Sequence, residues 1–236
     1  MSVLAASGLT VGYGPQPVVT DVDLFVEAGE VVALFGANGA GKTTTMMALS
    51  GVLPIISGEV SMNGRPVKTP LYRRARAGLA FVTEERSVFK GLSVADNLRV
   101  GDVSVQDALA LFPELEKRLG VRAGLISGGE QQMLTLARAL GRKPTLLLAD
   151  ELSLGLAPLV VSRLFVALRT AATESGTGVL LVEQHVRKAL QYVDRVYVMG
   201  RGRITMNLTA AEARHRVEDI EAAYLTPDLA LLDEPA

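Results

Sequence analysis

Cysteine is absent from the 236-residue chain, and histidine occurs twice. Without thiols there is no disulfide framework, no thiolate nucleophile and no zinc site of the cysteine type, and a reducing compartment is compatible with the sequence. Two histidines are too few for a histidine-rich metal cluster. An excess of one charge is missing as well: 24 Lys and Arg against 25 Asp and Glu leave a formal net charge of −1. A nucleic-acid partner calls for clustered Lys and Arg, so none is expected. No basic stretch followed by an apolar one opens the chain, which argues against a signal peptide and for the cytoplasm. Long apolar runs are lacking too, none approaching the ~20 residues of a membrane span, although the mean hydropathy of +0.30 is high. That surplus is expected in a buried sheet and in one apolar docking face. With 49% hydrophobic and 21% charged residues the composition is that of a folded globular chain, and disordered, collagen-like and mucin-like classes are excluded. Its length suits one domain or two small lobes, at about 150 residues per domain.

What is present is a recurring alternation of short apolar runs with amphipathic stretches. Residues 9–13 and 22–26 read as strands separated by Gly14, Pro15 and Pro17, a small antiparallel meander. Residues 30–35 form an apolar run that ends in a glycine-rich loop, after which 42–50 suit a helix stopping at Gly51. Residues 58–62 with the Asn63-Gly64 turn read as a hairpin arm, 69–77 as a short basic helix and 79–83 as a buried strand. From 96 to 119 the chain is helix-rich. The clearest helix covers 130–140, with Met133, Leu134, Ala137 and Leu140 on one stripe, Gly141 at its end and Pro144 beyond. Residues 145–149 give a buried strand and 158–174 a helix; 179–182 and 195–199 are further strands with a short helix at 186–192 between them. Repeated strand-then-helix order predicts an α/β fold with a mainly parallel sheet covered on both faces. The expected organisation is one domain over 1–236, in which 1–85 and 143–236 form the α/β core and 86–142 an inserted helical subdomain.

Gly36-Ala37-Asn38-Gly39-Ala40-Gly41-Lys42-Thr43 matches G-x-x-x-x-G-K-[ST] in full, between a buried strand and a helix start. Glycines let successive backbone N–H groups turn inward around a β-phosphate, the helix N-terminus adds a positive dipole end, and Lys42 places a point charge on the β and γ oxygens. Thr43 offers its hydroxyl to magnesium, and Thr44 is grouped with the phosphate-binding residues. A plain glycine turn is the alternative, and the full pattern in this context argues against it. Asp150 and Glu151 close the run Leu146-Leu147-Leu148-Ala149, which delivers both carboxylates to the carboxyl edge of the sheet. Asp150 is the candidate metal ligand, and Glu151 the candidate for orienting and polarising an attacking water. An acidic pair after a strand is also a common loop start or helix cap, and the complete phosphate loop tips the reading. Leu231-Leu232-Asp233-Glu234-Pro235 copies the acidic pattern with nothing after it to complete a site.

Ser127-Gly128-Gly129-Glu130-Gln131, at the head of the clearest helix, is a second anion-binding pattern built of a hydroxyl, two glycines and a helix N-terminus. Alone it also reads as a helix cap. In order and spacing with the other two motifs it resembles the signature motif of the ATP-binding subunits of ABC transporters. The resemblance spans the chain and implies a P-loop ATPase cassette with an N-terminal antiparallel β meander, using ATP and Mg2+. It implies that two such chains close head to tail, with Lys42 of one and Ser127 and Gly129 of the other on one γ-phosphate; Gly128 and Glu130 belong to the same motif. Tyr13 is similar to the aromatic residue that stacks on adenine, with a packing role as the alternative. Glu84 falls where most families carry the glutamine linking the γ-phosphate to the membrane subunit, and is grouped with Thr43 and Asp150 at the metal. His185 resembles the switch histidine at the γ-phosphate, a surface histidine being the alternative.

Residues 127–134, 151–158 and Glu84 look more narrowly like the ATPase subunits of branched-chain amino-acid importers, or of related urea or short-amide importers. That implies a homodimer or a heterodimer with a paralogous ATPase, transmembrane permease subunits, a substrate-binding protein indirectly, and a place on the inner face of the cell membrane. Ala157 stands in place of the usual aspartate, as is normal in this subfamily. Leu152 replaces the family's proline, Thr83 and Glu85 replace its proline and glycine around Glu84, and only 43 positions separate Glu84 from Ser127. These departures bear on the membrane partner rather than on ATP chemistry. A nucleotide-binding regulatory module, or a soluble ATPase of the same class without a membrane partner, is the alternative; a small-molecule P-loop kinase has no use for Ser127-Gly128-Gly129.

Overall fold

The computed structural model describes residues 2–14 and 16–225; the acidic copy at 231–235 lies outside them. β1 (Ser2–Gly12) and β2 (Pro17–Glu27) pair antiparallel, and β3 (Val31–Phe35) leads into α1 (Lys42–Ser50). β4 (Ile55–Met62), β5 (Arg65–Pro66), α2 (Leu71–Arg76) and β6 (Leu79–Val82) follow. The next stretch is helical: α3 (Val94–Val100), α4 (Val105–Leu111), two 3-10 turns at Pro113–Arg118 and Ala123–Leu125, and α5 (Gly128–Leu140). Strands and helices then alternate through β7 (Leu146–Asp150), α6 (Pro158–Ser175), β8 (Gly178–Val182), α7 (Val186–Ala189) and β9 (Arg195–Gly200). β10 (Arg203–Thr209), α8 (Ala210–His215) and α9 (Val217–Leu225) complete the described chain.

Two sheets result, an antiparallel one in the order β2-β1-β4-β5 and a six-stranded one in the order β10-β9-β3-β8-β7-β6. The second is parallel throughout except for the β9–β10 hairpin at one edge. β3, β7 and β8 are buried at every position, as strands covered on both faces require. Their side chains divide with a period of two. Val31, Ala33, Phe35, Leu147, Ala149, Val179 and Leu181 join one core with Leu134 of α5 and Leu164 of α6. Val32, Leu34, Leu146, Leu148, Leu180 and Val182 join the other, with Met46 and Leu49 of α1 and Leu4, Leu9 and Leu24 of the antiparallel sheet.

The meander strands are longer than their sequence pattern indicates. Alternation along β1 shifts phase between Ala6 and Leu9, where Gly8 has φ 56°, and along β2 it shifts at Asp21, with φ 55°. Each irregularity is a bulge that flips the buried face, so a strict period-2 reading breaks one strand into fragments. β10, α8 and α9 lie beyond the last element that the sequence pattern predicts. β10 is half-exposed, while α8 carries a readable signal, the Thr209–Glu212 capping box. Buried Arg74 of α2 donates to Leu49 O at 2.7 Å, Ala48 O at 3.3 Å and Thr69 O at 2.7 Å, and burial holds its pKa down. It satisfies carbonyls at the far end of α1, the helix that starts at the glycine loop.

Candidate active site

The glycine loop leaves β3 at Gly36, whose φ is 153° and where a Cβ would lie 2.3 Å from Met199 O. Gly41 caps α1 at φ 103° without a side-chain hydrogen bond, so the first-turn N–H groups keep their donors for an anion. Lys42 is buried, and its Nζ donates to Gly36 O at 2.8 Å and Ala37 O at 3.0 Å. Burial lowers its pKa, opposed by the charges of Glu151 and Asp150. The loop opens on a cavity of about 500 Å³ to which Asn38, Gly39, Gly41, Lys42, Thr43 and Thr44 contribute from one side. Glu84, Glu151, Leu154 and Gln184 reach it from the ends of three other strands.

Asp150, the last residue of β7, is 2% exposed. Burial raises its pKa; a hydrogen bond from Thr43 and the Lys42 charge act the other way, while Glu151 and Glu84 add to the rise. Its Oδ1 is buried without a hydrogen-bond partner, which a cation would supply. Among the described residues no group of three or more His, Asp or Glu side chains converges as a metal cluster. Thr43 and Asp150 are the residues that would hold a cation here, and so small a protein donor set suits Mg2+. Glu151 follows in the left-handed region, φ 48°, with its N–H on Val182 O at 3.0 Å.

The residue that closes the cavity after β8 is Gln184. Its Nε2 donates to Glu151 Oε1 at 2.9 Å and to Asn38 Oδ1 at 3.3 Å. His185 is not among the cavity's lining residues; its side chain is exposed and lines an adjoining groove with Gln184, Leu156 and Pro158. β8 ends at Val182 and Glu183 turns inward, so the next residue faces the cavity and the one after faces away. Tyr13 is 63% exposed and is not among the cavity's lining residues; its hydroxyl lies 3.5 Å from Met47 Sδ on α1.

Ser127, Gly128, Gly129 and Glu130 are likewise not among those lining residues. Ser127 caps α5: its Oγ accepts from Glu130 N at 3.3 Å, and Glu130 Oε2 accepts from Ser127 N at 2.7 Å. Glu130 completes the capping box, and Arg118 pairs with it at 2.7 Å. The Arg86 guanidinium lies against Gly128, where a Cβ would come within 2.9 Å of it, and Val160 flanks Gly129. Leu152, in place of proline, is 2% exposed and packs in the core beneath the acidic pair. Around Glu84, the Thr83 and Ser87 hydroxyls donate to Glu85 O at 3.2 and 3.3 Å and shape the turn that lacks proline and glycine.

A glycine loop with a buried lysine, facing an acidic strand end of a parallel sheet, defines a P-loop nucleotide-binding protein. The family model described as ABC transporter matches residues 19–153. BraG, the ATP-binding protein for high-affinity branched-chain amino acid transport in Pseudomonas aeruginosa, is 44% identical over 209 residues, covering 84% of this chain and 89% of its own. LptB, the ATP-binding protein of the lipopolysaccharide export system in Escherichia coli, is 33% identical over 246 residues, 98% of this chain and 100% of its own. A solved ATP-binding cassette of an ABC transporter in its ADP conformation has the same fold, with a TM-score of 0.85 at 22% identity over 96% of this chain and 99% of its own. The chain belongs to the ABC transporter family as an ATP-binding subunit, an ATPase of that class.

Proposed function

We propose that this chain powers import of a small polar solute, most favourably a branched-chain or other amino acid, by hydrolysing ATP on the inner face of the membrane. The 44% identity to BraG, against 33% to LptB, supports import over export. Among the described residues no helix is long and apolar enough to cross a membrane, so transmembrane permease subunits supply the passage, with a substrate-binding protein acting indirectly and no nucleic acid involved. Residues 1–85 and 143–236 are assigned to the nucleotide-binding core and 86–142 to the helical subdomain.

One observation carries the mechanism: Lys42, Thr43, Glu84 and Glu151 share a cavity from which Ser127–Glu130 of the same chain are absent, and Asp150, buried next to Glu151, is hydrogen-bonded by Thr43. That separation supports a head-to-tail dimer, homomeric or with a paralogous ATPase, in which the α5 N-terminus of each chain meets the phosphates held by the other. Gly36 to Thr44 bind the phosphates, and Tyr13 is assigned to the adenine. Thr43 and Asp150 hold Mg2+, with Glu84 beside them; when bound, the ion neutralises charge on the transferred phosphoryl group. Glu151 orients and polarises water for in-line attack. Gln184 takes the role expected of His185 by exchanging the longer of its two Nε2 bonds, that to Asn38 Oδ1 at 3.3 Å, for one to the γ-phosphate.

A groove of about 450 Å³ between β6 and α5 is the proposed permease seat. Arg76, Arg138, Arg142 and Lys143 line it, with no carboxylate among its lining residues. Arg138 is anchored there by Ser87 O at 2.5 Å and by the Phe89 ring at 5.1 Å. Co-expression with candidate permeases and ATP-dependent uptake of radiolabelled amino acids into proteoliposomes tests the proposal; purification without any membrane partner would refute it. Within the site, Gln184→Ala should lower ATP turnover about tenfold while His185→Ala stays within about twofold of wild type. The reverse ranking in a phosphate-release assay would restore His185 to the switch position.

A further inference from the structure

The turn that carries Glu151 is held by two consecutive residues beyond the end of β8, and only Gln184 belongs to the cavity. Glu183 is 1% exposed and faces inward. Its carboxyl accepts both hydrogen bonds that Ser153 donates, from the backbone N–H to Oε1 at 3.1 Å and from the hydroxyl to Oε2, and a third from the Gln184 backbone. Ser153 is itself 4% exposed. Cavity-lining residues stand on both sides of it, Glu151 two positions before and Leu154 one after. The turn is also closed internally, by Leu154 N on Glu151 O at 3.4 Å and Leu156 N on Ser153 O at 3.2 Å.

Glu151 at φ 48° occupies backbone space that a non-glycine residue rarely adopts, and such a conformation persists where its surroundings over-determine it. Its N–H is tied to Val182 O, its carboxylate to Gln184 and its second neighbour to Glu183, all from one strand end. A buried carboxyl is costly unless hydrogen-bonded, and here the bonds are directed at the turn beneath the attacking water's site. We infer that Glu183 is a positioning residue for ATP hydrolysis, its carboxyl fixing through Ser153 the backbone that aims Glu151. The inference rests on the reading of Glu151 as the water-orienting base. Burial pushes the Glu183 carboxyl up to about 7, against the pull of the Ser153 and Gln184 hydrogen bonds, in keeping with a group held for geometry.

Ser153→Ala removes one bond of the clamp and Glu183→Ala removes all of them, whereas Ser153→Thr and Glu183→Gln keep groups able to remake it. ATP turnover, fluorescent adenine nucleotide binding and Tm are measured on the full chain for these variants, for wild type and for Glu151→Gln. Ser153→Ala should lower kcat about tenfold with nucleotide Kd and Tm close to wild type, and the two conservative variants should keep at least about half of the wild-type kcat. Wild-type kcat in Ser153→Ala overturns the inference. Parallel losses of kcat, affinity and Tm also overturn it, since they mark general destabilisation, as does failure of both conservative variants to recover activity. If Glu183→Ala does not fold, Ser153→Ala decides alone. Should Glu151→Gln hydrolyse ATP like wild type, the base assignment itself fails; an inactive Glu151→Gln beside a wild-type-like Ser153→Ala removes the clamp alone.

Discussion

Glu151→Gln is expected to lower steady-state ATP turnover by roughly a hundredfold to a thousandfold, the usual effect of removing a positioned general base, while ATP binding is kept or tightened. The amide has the shape of the carboxylate and its oxygen can still accept from Gln184 Nε2, which now sits 2.9 Å from Oε1. What disappears is a negative charge in a cavity built for phosphates. That charge raises the pKa of Asp150 and of Lys42, so its loss makes Asp150 easier to keep ionised and leaves less repulsion for ATP. With binding intact and turnover stopped, the head-to-tail dimer should accumulate. Gel filtration with and without Mg-ATP reads the dimer, and phosphate release reads the turnover. Turnover above about a tenth of wild type would mean that another group orients the water.

Glu183 gives the second large effect, on stability rather than rate. Its carboxyl has a pKa of about 7 in the folded chain against an ordinary 4.5, so between those values the folded state binds more protons than the unfolded one. The stabilisation linked to that proton is complete below the unfolded pKa and is lost as pH rises through the folded one. At ~1.4 kcal/mol per pH unit the difference amounts to roughly 3 kcal/mol. Glu183→Gln has no such ionisation. Its stability relative to wild type should therefore rise between pH 5 and pH 8 by up to about 3 kcal/mol, or roughly 5–10 °C in Tm for a chain of this length. Comparing the two proteins at each pH cancels the other titrating groups. A gap that stays constant, or that narrows towards pH 8, would show that the ionised carboxyl is comfortable where it lies.

The order of motifs was readable because each rests on local chemistry. A glycine loop needs its glycines and lysine, a strand end offers its carboxylates, and α5 ends where Gly141 and Pro144 stop it. The α1 limits, Lys42–Ser50, follow for the same reason. Long-range geometry was less accessible. The phase slips at Gly8 and Asp21 are set by pairing between distant strands, and hid the length of β1 and β2. The inward turn of Glu183 was hidden, because a charged residue after an apolar run gives no sign of burial until its partner, Ser153, is brought beside it. A counted distance from a strand end is reliable only when the face of every intervening residue is known.

The division of the core by the six-stranded sheet has a mechanical consequence. α1 belongs to one face and α5 and α6 to the other, and the strands between them are buried throughout and joined by continuous ladders, so the two faces cannot slide through the sheet. A tilt of α5 relative to the glycine loop would have to be taken up at the strand ends, beyond Phe35, Val82, Asp150 and Val182. Those ends are where the cavity lies. The cavity is therefore lined by loops that leave the β3, β6, β7 and β8 ends, so a ligand seated there touches the segments that lead into both faces.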